Sequence, residues 1–244
     1  MSPITSADLI DTLDRGRSLP AMLRPCVFLD TVLERDTDGA SAQSLPVGRR
    51  DALLLELQQA LFGPALEAVA RCPHCAEWLE LNLRVADLLV PEAAGPAVVS
   101  IETDGFRVRA RLADSRDLAA AAKAGDLQGA RETLMERCVL DARLGGDDVS
   151  PRELPEGVID LLGRTMSAAD PQADTELALK CPVCAHAWSE PFDIASYLMD
   201  SLEHWADRCL DQVDTLARAY GWSQAEILAL SPARRARYIE RVLA

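Results

Sequence analysis

Apolar residues return every three or four positions from Leu198 to Tyr220, through Leu202, Trp205, Cys209, Val213 and Leu216. That spacing keeps one face of a helix apolar. It predicts the longest helix of the chain over about 194–220, stopped by Gly221. Residues 49–62 show the same period in Leu53, Leu54, Leu57 and Leu61, and Gly63-Pro64 ends it. Shorter helices are expected over 6–15 with Ser6 as N-cap, over 65–70, from Ser115 to Ala124, over 126–138 and over 158–167. Ser223 and Glu226 have capping-box spacing, and Pro232 opens a last helix.

Elsewhere the period is two. Leu79, Leu81, Leu83 and Val85 alternate with polar residues, the mark of a half-buried strand. Two alternating runs flank Asp104-Gly105 within 97–112, which predicts a hairpin with a primed turn. Residues 36–48 and 144–157 read as loops, and the apolar stretch 19–34 is interrupted by Pro20 and Pro25. The pattern as a whole is helix-rich α+β.

Composition narrows the class. Hydrophobic residues make up 49% of the 244 but aromatics only 5%, so the core is built mainly of Leu, Ala and Val. The formal charge of −14 works against binding a phosphate backbone, which requires cationic neutralisation. It suits protein partners instead. No apolar run approaches 18 residues and no secretion signal is visible, so no membrane partner is expected and the reducing cytoplasm is the expected compartment.

The most specific motif is a repeated one. Cys72-Pro73-His74-Cys75 and Cys181-Pro182-Val183-Cys184 are CPxC knuckles, each followed by Ala. Four thiolates in two such pairs are the ligand set of a closed tetrahedral zinc site, with no position left for water. One structural Zn²⁺ per chain on Cys72, Cys75, Cys181 and Cys184 is therefore expected, clamping two distant segments in a zinc-ribbon-like arrangement. A thioredoxin-like reading of CPHC is the competitor. It requires the first Cys to open a helix, whereas a strand pattern follows Cys75. His74 and His186 are expected to be solvated knuckle residues. Cys26, Cys138 and Cys209 are expected to be small buried hydrophobes.

No nucleophile elbow, phosphate-binding glycine loop or HExxH motif occurs, so no catalytic residue is assigned and the chain is expected not to be an enzyme. One cationic cluster stands out. Arg234, Arg235 and Arg237, with Arg241, lie on the last predicted helix and are candidate contacts for an acidic partner. Three regions are expected: a helical segment and loop over 1–48, a zinc-clamped helical unit from 49–92 and 175–244, and an inserted hairpin-plus-helices region over 93–174.

The run LPVGRRDALLLELQQALFGPALEAVARCPHC, the second CPxC, and the run AYGWSQAEILALSPARRARYIERV together resemble base plate hub assembly proteins of contractile-tailed phages. Their relatives in phage-like contractile injection systems are similar too. The resemblance covers roughly 45–90 and 175–244. It implies a non-enzymatic assembly chaperone or base plate-associated protein, with base plate or hub proteins as partners, working in the cytoplasm or carried into a tail-like particle. The zinc expectation rests on the cysteines alone. A nucleic-acid-binding zinc-ribbon regulator is the alternative, and a basic patch with interleaved aromatics would favour it.

Overall fold

The structure is a computed structural model, describing residues 5–33, 41–91 and 96–243. The chain divides into two compact units: 41–195, and a helical unit made of 1–40 with 196–244. This division differs from the three regions expected from the sequence. The two CPxC segments share a unit with the region between them, and the C-terminal helices group with the N-terminal ones.

In the helical unit, α1 (Ser6–Gly16) begins at Ser6, the residue expected to cap it, so its cap lies one residue earlier than expected. Thr5 is the N-cap: its hydroxyl accepts from the Asp8 amide, and the Asp8 carboxylate accepts from the Thr5 amide. α2 (Arg24–Leu33) accommodates Pro25 in its first turn, where no amide donor is needed. Arg15 ties α1 to α2 by donating to Thr31 Oγ1 at 3.2 Å.

The helix α8 (Ile194–Tyr220) matches its predicted span. Its apolar stripe is interior: Leu198, Leu202, Ala206, Cys209 and Leu216 are buried. Gly221 stops it with φ +71°, a left-handed conformation that favours glycine. α9 (Gln224–Ala229) has the expected Ser223/Glu226 capping box, and α10 (Pro232–Leu243) the expected N-terminal proline.

In the unit 41–195, α3 (Val47–Phe62) is followed by β1 (Ala65–Arg71), not by the expected helical stretch over 65–70. The alternation is real: Leu66 and Ala70 are buried, while Glu67, Val69 and Arg71 are exposed. Three alanines in seven residues disguise it, because Ala suits a helix as well as a strand's inner face. β1 pairs antiparallel with β2 (Trp78–Arg84) over its whole length, and a short α4 (Val85–Leu88) follows.

β3 (Val98–Thr103) and β4 (Phe106–Arg111) form the predicted hairpin, with Asp104 at φ +51° and Gly105 at φ +79°. These two positive φ values are what a type I′ turn requires. α5 (Ser115–Ala121) is capped by Asp114, one residue before the expected Ser115, and α6 (Leu127–Cys138) by Asp126.

Four further strands went unpredicted, two in this sheet and two in a later hairpin. β5 (Val139–Leu144) pairs with β4, and β6 (Asp147–Asp148) with β5, giving the sheet order β3-β4-β5-β6. The ladder shifts register at Arg109/Ala110. That irregularity breaks the alternation that would have marked β5 in the sequence. α7 (Glu156–Ala169) packs on this sheet, with Val158 and Leu162 joining Val99, Ile101, Val108, Ala110 and Ala142 in one core. β7 (Glu176–Lys180) and β8 (Ala187–Pro191) then form a second two-stranded hairpin.

Candidate metal centre

The two CPxC motifs sit at the tips of the β1–β2 and β7–β8 hairpins, and the tips share one backbone geometry. The β1–β2 ladder closes at Arg71–Trp78 and the β7–β8 ladder at Lys180–Ala187. In each tip the first cysteine's amide donates to the carbonyl five residues on: Cys72 to Glu77 at 2.9 Å, Cys181 to His186 at 2.8 Å. Its carbonyl accepts from the amide four residues on: Ala76 at 2.9 Å, Ala185 at 3.0 Å. Ala76 and Ala185 have φ of +61° and +59°. A left-handed alanine costs roughly 1 kcal/mol, and both tips adopt it at the alanine that follows the CPxC.

This turn brings two sulfurs of each knuckle to one side. The four Sγ atoms of Cys72, Cys75, Cys181 and Cys184 lie within 4.8 Å of one another. Across the knuckles, Cys72 and Cys184 are 3.7 Å apart, and Cys75 and Cys181 3.5 Å. A tetrahedral zinc thiolate with Zn–S of about 2.3 Å has S···S edges of about 3.8 Å. The four sulfurs therefore fit that ion. No histidine belongs to the set. His74 and His186 stack on each other at 5.5 Å, and His186 on Trp188 at 6.1 Å.

The site is shielded on one side and open on the other. Cys72 and Cys181 are buried with Leu79, and Leu81, Cys184 and Trp188 pack around them. Cys75 is exposed. The thiols are pulled in opposite directions. Backbone amides of Cys184 and Val183 favour the Cys181 thiolate and, against the cost of burial, lower it to about 7. At Cys75 the Glu77 amide also favours the thiolate, but lost hydration and the neighbouring sulfurs outweigh it and push the thiol up to about 12. Four close sulfurs cannot all ionise unaided, and a dication at their centre would make all four thiolates compatible.

The thioredoxin-like alternative fails on context. Cys72 follows strand β1, but the chain after Cys75 enters strand β2 rather than a helix, so no helix dipole acts on the first cysteine. Cys26, Cys138 and Cys209 are buried, as expected.

The arginine cluster needs correction. Arg234 and Arg237 are exposed on α10, but Arg235 is 2% exposed and belongs to the interior. Its guanidinium donates to Gln212 Oε1 at 3.1 Å, to the Leu230 carbonyl at 2.9 Å and to Ser6 Oγ at 3.3 Å. It joins α10 to α8, to the end of α9 and to α1. Helix periodicity places Arg235 on its own side of α10, about 100° from Arg234, and that side faces inward.

Two buried polar clusters in the unit 41–195 were missed. Asp117, with no exposed side-chain surface, accepts from Arg111 at 2.6 and 2.9 Å, from Arg137 at 2.8 Å and from the Asp114 amide at 2.9 Å. Burial opposes its ionisation, but these donors outweigh burial and hold the carboxyl well below the usual range. The second cluster explains the GRRD run. Arg50 donates to Asp51 at 2.7 Å and to Ser115 Oγ at 3.0 Å. The Gly48 amide donates to Asp170 Oδ2 at 2.9 Å. A Cβ at residue 48 would lie 2.1 Å from Asp170 Oδ1, so only glycine permits this approach. These are fastenings of the fold.

A family model described as T4 bacteriophage base plate protein matches residues 27–199. The match takes in both knuckles and the region between them. α9 and α10, with the GWS–EIL–LSP–RR run, lie beyond it. No curated protein and no solved structure matches this chain.

Proposed function

The chain belongs to the T4 bacteriophage base plate protein family, and from that premise we propose that it is a non-enzymatic assembly factor for the base plate of a phage-like contractile tail. Its partners are base plate or hub proteins. It acts on them in the cytoplasm before or during assembly. Among the described residues no helix is long and apolar enough to cross a membrane.

The observation that carries the reading is the family match over 27–199, spanning the whole unit that holds both knuckles. The cysteine geometry supports a structural role for zinc. The four sulfurs would fill every position of a tetrahedral ion, so zinc held by Cys72, Cys75, Cys181 and Cys184 would supply a cross-link and offer no site to a substrate. The cross-link joins two hairpins that are each only two strands wide, and isolated two-stranded hairpins are marginal in water.

The test uses an affinity-tagged full-length chain expressed with its neighbouring tail genes. Disrupting its gene should abolish complete base plates. The tagged protein should co-purify with base plate components from lysates and be depleted from finished particles. Normal particle assembly without the gene would defeat the reading. Stoichiometric presence in finished particles would replace the assembly-factor role with that of a permanent component.

A further inference from the structure

Three aromatic rings meet where α8 ends. Tyr220 stacks on Trp222 with centroids 4.7 Å apart. Tyr238 of α10 closes the group edge-on, 5.7 Å from Tyr220 and 5.0 Å from Trp222. The group lies at the surface: Tyr220 is 39% exposed, and Trp222 and Tyr238 are half-buried. Arg241 extends it, with its guanidinium 5.7 Å from the Tyr238 centroid, a cation–π arrangement that holds the arginine on the platform.

Arg234 and Arg237 stand exposed on the same helix. Arg234, Arg237 and Arg241 have no ion-pair partner among the described residues. Other surface arginines divide. Arg107, Arg131 and Arg143 are neutralised by Glu102, Glu156 and Asp141, whereas Arg49, Arg84, Arg109 and Arg164 stand exposed without an ion-pair partner among the described residues. What sets α10 apart is that its cations adjoin an exposed aromatic group. α10 thus presents three unneutralised cations beside the exposed aromatic group of an otherwise anionic molecule. Tyr, Trp and Arg are the residues that concentrate binding energy at interface centres, because they bring large contact area and directed donors at low entropic cost.

We propose that this surface docks an acidic segment of another base plate protein. The Tyr220–Trp222–Tyr238 platform packs its apolar side chains, and Arg234, Arg237 and Arg241 pair with its carboxylates. The proposal rests on the base plate reading and adds the place and chemistry of contact. A carboxylate-bearing protein fits better than a nucleic acid. The three arginines cover too short a stretch to offset the long-range repulsion between a phosphate backbone and a chain of charge −14.

The test is capture of co-expressed base plate proteins by the tagged full-length chain, at low and high salt and with nuclease added. The wild type should capture a base plate protein, more strongly at low salt. The variant Arg234→Glu/Arg237→Glu/Arg241→Glu should lose about tenfold or more of that capture at low salt. Tyr220→Ala should lose capture at both salt levels. The metal content of both variants and the melting temperature of the arginine variant should stay at the wild-type values. Tyr220→Ala, which loses two ring contacts, should melt a few degrees lower and remain folded at the capture temperature. Should the triple Glu variant melt early, the milder Arg→Gln set is read instead, with the same expected loss. Undiminished capture by folded arginine variants overturns this surface and leaves the base plate reading intact. A wild type that captures no base plate protein overturns both. Release by nuclease would make the occupant a nucleic acid. A concentration-dependent dimer that the triple variant abolishes would make it a second copy of this chain. Either result overturns the proposal.

Discussion

Replacing Cys181 with Ser should lower the melting temperature far more than any other single cysteine substitution outside the cluster. Cys181 is 1% exposed, and its sulfur is 3.5 Å from that of Cys75. The cross-knuckle pairs close loops of 106 and 112 residues. Cross-linking a loop of that size removes about 5 kcal/mol of chain entropy from the unfolded state. Metal affinity is folding free energy, so loss of one ligand forfeits most of this. For a protein of this size that corresponds to roughly 10–20 °C in melting temperature. The control is Cys138→Ser in the same unit, where the thiol is fully buried but lies outside the cluster. The Cys138 thiol donates to Asp117 Oδ2 at 3.8 Å, an acceptor a serine hydroxyl keeps, so the exchange costs at most about 1–2 kcal/mol, or roughly 2–8 °C. Cys26→Ser should behave like Cys138→Ser. The assay is thermal unfolding paired with elemental analysis of freshly purified protein. The wild type should carry about one zinc per chain, and a strong chelator should bring it down to the Cys181→Ser value. Equal melting shifts for Cys181→Ser and Cys138→Ser, or less than about half an equivalent of zinc in the wild type, would refute the reasoning.

Asp117→Asn should destabilise the protein by about 1.5–3 kcal/mol in a denaturant titration, because the buried carboxylate's charge-assisted hydrogen bonds to the partly exposed Arg111 and Arg137 are lost. A cost within the usual range for a surface pair, below about 1 kcal/mol, would show that the cluster is dispensable. The Asp117 carboxyl is depressed in the fold, so its contribution is present above its ordinary value of 3.8 and is lost as pH falls below it. Asp51 has the opposite sign. Burial, partly offset by Arg50, raises its carboxyl from 3.8 to about 6. The folded state holds that proton more tightly than the unfolded chain, so the contribution is present below 3.8 and is lost as pH rises through about 6. Asp51→Asn should therefore gain on the wild type by up to about 3 kcal/mol between pH 4 and pH 7. A pH-independent difference between the two unfolding curves would remove Asp51 as the titrating group.

Several features were legible in the chain alone, each because its signal is local. The span of α8 follows from an apolar period sustained over seven turns, ended by a glycine that takes a positive φ. The β3–β4 turn follows from Asp104-Gly105, since few other pairs tolerate two positive φ values. The four-cysteine cluster was readable because CPxC is a self-contained turn, and its repetition implied that the two copies meet. Tertiary structure decided the rest. Whether 65–70 is helix or strand depended on pairing with β2, because Leu-Glu-Ala-Val-Ala has no strong preference of its own. β5 was invisible because its register shift scrambles the alternation. Arg234 and Arg235 are adjacent and chemically identical, yet one is exposed and the other lies among Gln212, Leu230 and Ser6. Residue type determines the charge of a side chain. Which neighbours replace its water depends on segments more than two hundred positions away, such as Ser6 from Arg235, and no local pattern encodes them.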